Sequence, residues 1–184
     1  MAYDRAPAAG RTGHGPGPGL AEDRIFGRVG LDLDAAAGLL TVRGERVPTA
    51  ELRRAPGAAP AGFVPIGTRD GAALRLTVEG RPAHLAPGRG RLTRRSHRVD
   101  VVHGGVRYRL LPDSPNGSRL VKDGRRIADF SSDGAGHVWA DWHPDVAPPL
   151  REDAAIGYAL AAAFGTGAEP FRRLLLQAVL DTIW

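Results

Sequence analysis

Apolar and polar residues alternate most regularly in the middle of the chain. Val99 to His103, a Gly104-Gly105 step and Val106 to Leu111 read as a hairpin, with Val106, Tyr108 and Leu110 on one face and Arg107 and Arg109 on the other. Two glycines supply the positive φ angles that a two-residue hairpin turn needs. Arg119 to Lys122 and Arg125 to Phe130 repeat the pattern around Asp123-Gly124, and Ser132-Asp133-Gly134 turns into a further strand, Gly136 to His143. Five sequential antiparallel strands predict a barrel or strongly curved sheet, because closure removes exposed edges. Upstream the signal is weaker. Arg24 to Leu31, Leu39 to Arg43, Phe63 to Ile66 and Ala72 to Glu79 are predicted strands. Residues 48–62, rich in Pro, Gly and Ala, read as a long loop, and residues 81–95 as irregular, with Pro82, Pro87, Gly88 and Gly90.

The period changes after Pro148-Pro149. Arg151 to Phe164 carries Glu152 and Asp153 in its first turn and stops at Gly165, which predicts a helix with acids well placed on its dipole. Beyond Asp153 it has no charge, and Tyr158 is its only hydrogen-bonding side chain. A helix apolar all round is buried all round. A second helix is predicted from about Pro170, with a narrow polar stripe of Arg173, Gln177 and Asp181 opposite Phe171, Leu174, Leu175, Ala178, Val179 and Ile183. So wide an apolar face needs cover, from the sheet or from another subunit. The predicted fold is therefore β-rich (α+β): an antiparallel barrel or strongly curved sheet with a buried hydrophobic C-terminal helix and a second C-terminal helix.

Residues 1–22, dominated by Gly, Pro and scattered small side chains, lack the apolar surface that offsets the entropy of ordering, and are expected to be a disordered tail. Residues 23–184 suit one domain. With no Cys, the chain has no disulfide, zinc-thiolate or thiol chemistry. The N-terminus has no secretory apolar region, and the longest apolar run, Ala154 to Phe164, is eleven residues, too short for a bilayer. The expected location is cytoplasmic.

Charge is unevenly spread. Residues 81–126 hold twelve Arg or Lys against three Asp, whereas residues 127–184 hold three Arg against eight acids. Arg outnumbers Lys 24 to 1 amid abundant Ala, Gly and Pro, so arginine content alone says little and its placement says more. A basic middle and an acidic end either neutralise each other in the fold or leave the middle facing an anionic partner.

The meander, its hairpin Arg119-Leu-Val-Lys-Asp-Gly-Arg-Arg-Ile-Ala128 and the Ala-rich run Ala154 to Phe164 resemble the tubby C-terminal and LURP-one-like family over about Val99 to Trp184. That resemblance implies a closed antiparallel barrel around one hydrophobic C-terminal helix. It also implies binding of phosphoinositides or association with membranes rather than enzymatic activity, and it transfers no individual lipid-binding residue. Two C-terminal helices, and fewer strands than the family's barrel, are departures from the pattern.

Candidate chemistry is sparse. His137, Asp141 and His143 share one face of a strand, but at about 3.3 Å per residue His137 and Asp141 stand about 13 Å apart, too far to share an ion. No metal ligand is assigned. The N-terminal glycines alternate with Pro, which removes the backbone donors a phosphate loop needs, and no Gly-x-Ser-x-Gly elbow occurs. No residue is given a catalytic role and no cofactor is implied. The remaining candidate is the basic tract Arg89, Arg91, Arg94, Arg95, His97 and Arg98, read as an anion-binding loop for a lipid headgroup or nucleic acid, or as a solvated loop paired with the acidic end. Few aromatics interleave with it, which disfavours single-strand stacking and sequence-specific nucleic-acid recognition. Trp139, Arg173 and Gln177 are the candidate interaction surface. Three functional readings stand: a non-catalytic binding module for an anionic lipid or protein partner, a homo-oligomeric structural subunit associating through the second helix, and an enzyme whose site is assembled from distant residues.

Overall fold

The computed structural model describes residues 19–62, 64–90, 94–114, 116–132 and 137–166, the side chains of Arg94 and Arg95 excepted. Eleven strands follow one another as a single antiparallel meander: β1 (Gly19–Asp23), β2 (Gly27–Asp34), β3 (Leu39–Gly44), β4 (Val47–Arg54), β5 (Leu74–Val78), β6 (Arg81–Pro87), β7 (Val99–His103), β8 (Val106–Pro112), β9 (Gly117–Lys122), β10 (Arg125–Ser132) and β11 (Val138–Trp142). The sheet curls until β1 and β11 lie side by side, giving a nearly closed barrel. The helix α1 (Arg151–Phe164) runs through it.

The two ends of the barrel differ. Tight turns gather at one, including Gly104-Gly105 and Asp123-Gly124, where φ is positive at both residues of each pair, as the alternation and turn residues predict. Longer connections gather at the other: residues 55–73, 88–98 and 113–116. In β10 a bulge between Arg126 and Ala128 lets Ile127 and Ala128 both point inward, so two successive residues are buried.

Helix α1 is the core around which the strands close. From Asp153 to Phe164 every residue except Ala162 is buried, as the absence of charge after Asp153 predicts. Small side chains are required there. A Cβ on Gly157 would stand 2.4 Å from the Phe130 ring. Two carboxylates tie the helix to the wall. Asp153 accepts from Tyr108 Oη at 2.8 Å, from Lys122 Nζ at 2.8 and 3.0 Å, and from Leu150 N at 2.8 Å, closing the first turn onto its own cap. Asp23 accepts from Tyr158 Oη at 2.7 Å and Trp142 Nε1 at 2.8 Å through one oxygen, and from Ile25 N and Phe26 N through the other. Burial, reinforced by these carboxylates, raises both tyrosine hydroxyls well above the ordinary range. Phe26, Trp142, Phe130 and Tyr158 form a chain of edge-to-face contacts with centroids 5.3–5.8 Å apart.

Several expectations are corrected. The first strand takes in Gly19 to Glu22, residues assigned to the tail. Val47–Arg54 forms β4, which takes in residues 48–54 of the region read as a loop, and Arg81–Pro87 forms β6 despite two prolines. Of the strand expected at Phe63 to Ile66, Phe63 lies outside the described residues and residues 64–66 are not strand: Ile66 N and Gly67 N instead donate to Ala163 O at the end of α1. The second helix predicted from Pro170 also lies outside the described residues. Among the described residues, no helix is long and apolar enough to cross a membrane.

Candidate functional site

The basic tract is built as an extension of the β6–β7 hairpin at the long-loop end. Gly88 N donates to Arg98 O and Gly90 N to Ser96 O, both at 2.8 Å, so the two arms continue the ladder. Gly90 has φ +63°, a conformation that favours glycine. The half-buried Arg69 reaches across beneath the arms, its terminal nitrogens on Gly88 O, His97 O and His97 Nδ1 at 3.2–3.5 Å, and burial lowers its pKa. A short 3-10 turn, Arg94–His97, then lies against β8.

That packing joins the tract to residues from elsewhere in sequence. On the outer faces of β7, β8 and β9, Arg98, Arg109, Leu111 and Arg119 line an open depression of about 340 Å³. A second, of about 730 Å³, continues along β8 past Asp100, Val102, Arg107, Val121 and Asp123, and the two share Arg109. Register explains the gathering: Asp100 faces Arg109 across β7–β8, and Leu111 faces Arg119 across β8–β9.

Asp100 organises the pair beside it. One carboxylate oxygen accepts from Arg98 Nε at 3.0 Å and the other from Arg109 Nε. Both bonds use the Nε position, and among the described residues no hydrogen bond is found from the terminal amino groups of either guanidinium. Arg98 and Arg109 remain 43% and 48% exposed. Arg119 also lacks an acidic partner among those residues. Asp129, opposite it in the ladder, is held by Arg126 at 2.6 Å and by His143 Nε2 at 3.0 Å. The arrangement is three guanidiniums around one depression with a single carboxylate between two of them, a geometry suited to a phosphate or sulfate group.

Among the described residues the acidic end neutralises part of the basic middle, Asp153 taking Lys122 and Asp129 taking Arg126, and makes no ion pair with Arg98, Arg109 or Arg119. Of the predicted anion-binding residues, Arg98 is in the depression and Arg89 is exposed on the hairpin arm. Arg94 and Arg95 are on the adjoining turn by backbone only, and Arg91 lies outside the described residues. Arg109 and Arg119 were not predicted as site residues. The wet face of the alternating β8 strand marks Arg109, whereas only register brings Arg119 to it. Trp139 is exposed at 49% on β11, its ring 6.1 Å from His137, two strands across the sheet from Arg119 on β9, and it does not line the depression. Arg173 and Gln177 lie outside the described residues.

Comparison with protein-family models, with curated proteins and with solved structures finds no match for this chain.

Proposed function

We propose that the chain is a non-catalytic binding module for a phosphate-bearing headgroup at an acidic lipid surface, seated in the depression between Arg98, Arg109 and Arg119. The carrying observation is Asp100, which fixes two arginines by Nε and leaves their forked ends presented together. The guanidinium-lined depression, at 340 Å³, is of small-ligand size, and its continuation along β8 runs past Asp100 and Asp123, which interrupt the positive track a nucleic-acid backbone needs and favour one headgroup. The barrel threaded by a helix supports the resemblance to tubby C-terminal and LURP-one-like proteins, and the membrane reading draws on it. The adjoining tract, with Arg89, Arg91, Arg94 and Arg95, adds positive charge that steers the module to an anionic surface.

Co-sedimentation with vesicles tests this. Binding to vesicles carrying a phosphorylated inositol lipid should exceed binding to vesicles of equal charge made with phosphatidylserine, and should fall as salt rises. Equal binding to both would reduce the site to net charge. Preference for duplex DNA over either would replace the lipid reading.

A further inference from the structure

The larger depression differs in chemistry from the arginine seat that it continues. Two rows of outward residues cross it, set by the strand register. Asp100 faces Arg109, which faces Val121, and Val102 faces Arg107, with Asp123 beyond it at the β9–β10 turn. Each row carries one acid, one arginine and one valine. The smaller depression offers guanidinium groups around Leu111, whereas this one offers donors and acceptors together over aliphatic surface.

Asp123 is held for this position by its turn. Its φ is +45°, and its Oδ1 accepts from Arg107 N at 3.0 Å, which fixes the carboxylate against β8 at the edge of the depression it lines. Among the described residues, no hydrogen bond to its Oδ2 and no ion pair of Asp123 is found. The neighbouring Arg107 is exposed and likewise has no ion pair among those residues.

An ionised carboxylate accepts hydrogen bonds and donates none. Beside a phosphate seat it repels the anion, so it strengthens binding only of a ligand that brings donors of its own. Hydroxyl groups are such donors. Arg107 supplies donors for their oxygens, and Val102 and Val121 give aliphatic surface to the C–H groups of a ring. Arg109, common to both depressions, and Asp123 are diagonal neighbours across β8 and β9. Such residues stand about 7–8 Å apart, a separation that one six-membered ring with its substituents bridges. We infer that the larger depression is a hydroxyl-binding subsite, and that the whole site takes a phosphorylated polyol. The phosphate sits on Arg98, Arg109 and Arg119, and the hydroxyls sit on Asp123 and Arg107. This rests on the phosphate seat proposed above and adds the part of the ligand that the three arginines do not read.

Two ligands alike in ring and charge test it. The full chain is titrated by calorimetry with myo-inositol 1-phosphate and with cyclohexyl phosphate, which has the ring and the phosphate but no hydroxyl. Inositol phosphate should bind about tenfold more tightly, the worth of one hydrogen bond to a charged group. Asp123→Asn should lose most of that preference, while cyclohexyl phosphate binds as before or more tightly because a negative charge has gone. Asn-Gly suits the same turn, and Asp123→Gly, which reproduces the Gly104-Gly105 turn, removes the acceptor altogether should the first variant fold poorly. Equal binding of the two ligands by the unaltered chain overturns the hydroxyl subsite and leaves the arginine seat standing. A preference that survives in both Asp123 variants also overturns it. Binding of neither ligand overturns the seat and the subsite together. Soluble inositol phosphate that displaces the chain from phosphorylated inositol-lipid vesicles supports the subsite with a lipid as its source. Tight soluble binding by a chain that ignores those vesicles supports the subsite with a free polyol phosphate as its source, and overturns only the membrane reading.

Discussion

Tyr158 Oη, inside the barrel, donates at 2.7 Å to the same oxygen of Asp23 that Trp142 Nε1 reaches from the last strand. One carboxylate thus links the first strand, the last strand and the central helix. It also holds the β1–β2 turn through Ile25 N and Phe26 N. Removing one donor and removing the hub should differ. Tyr158→Phe takes away one hydrogen bond to a charged group and should cost about 1–3 kcal/mol. Asp23→Ala leaves four donors without their acceptor and should cost more, about 3–5 kcal/mol, by urea unfolding. Equal losses would mean that Asp23 is not the common anchor.

Packing around the helix gives a second test, in which intrinsic propensity and space oppose each other. Ala is a better helix former than Gly by about 1 kcal/mol. At Gly157, however, the added methyl would meet the Phe130 ring at 2.4 Å and Leu120 Cδ2 at 3.1 Å. Gly157→Ala should therefore destabilise the protein, and Ala159→Leu, at a fully buried position, should cost about 1–3 kcal/mol. Ala162 is only partly buried, so Ala162→Leu should be tolerated better. Thermal melts of the three variants set the order.

The alkaline limb of stability follows from Tyr108 and Tyr158. Both hydroxyls have raised pKa values, from burial first and then from Asp153 and Asp23 respectively. A raised folded-state pKa means that above about pH 10 the unfolded chain releases tyrosine protons that the folded chain keeps. Stability should be level in this respect below pH 10 and decline above it, by up to about 1.4 kcal/mol per pH unit for each tyrosine. Denaturation at pH 9 to 11.5 should show the decline, and Tyr108→Phe or Tyr158→Phe should each make it shallower.

What the sequence makes legible depends on whether local pattern or register carries the information. From Val99 to Trp142, alternation, broken at the Ile127–Ala128 bulge, and the Gly104-Gly105 and Asp123-Gly124 turns suffice, because each strand pairs with its neighbour in sequence. β6 is obscured because Pro82 and Pro87 suggest a break, yet they occupy a strand whose short ladders tolerate them. The apolar residues near Ile66 look like a strand because burial against a helix end leaves the same signature as burial in a sheet. For the site, Arg98 stands out in a run of basic residues. Arg119 does not, since its nearness to Arg109 exists only once β8 and β9 are in register.

Asp100 separates an organised site from a patch of charge. Replacing it with Asn removes a negative charge beside the ligand, which by electrostatics alone should strengthen anion binding. At about 6 Å in water that gain is about 0.7 kcal/mol, and salt reduces it. The same change weakens the Nε contacts that hold Arg98 and Arg109 together. Reordering two long side chains on binding costs about 0.5–1.5 kcal/mol each. Orientation therefore outweighs charge, and Asp100→Asn should bind inositol-phosphate vesicles about threefold more weakly or worse, although the chain is more basic. Arg109→Gln and Arg119→Gln should weaken binding further, and Arg126→Gln, whose guanidinium is already held by Asp113 and Asp129, should have little effect. Stronger binding by Asp100→Asn would show that the arginines act as diffuse charge, without the geometry described for them.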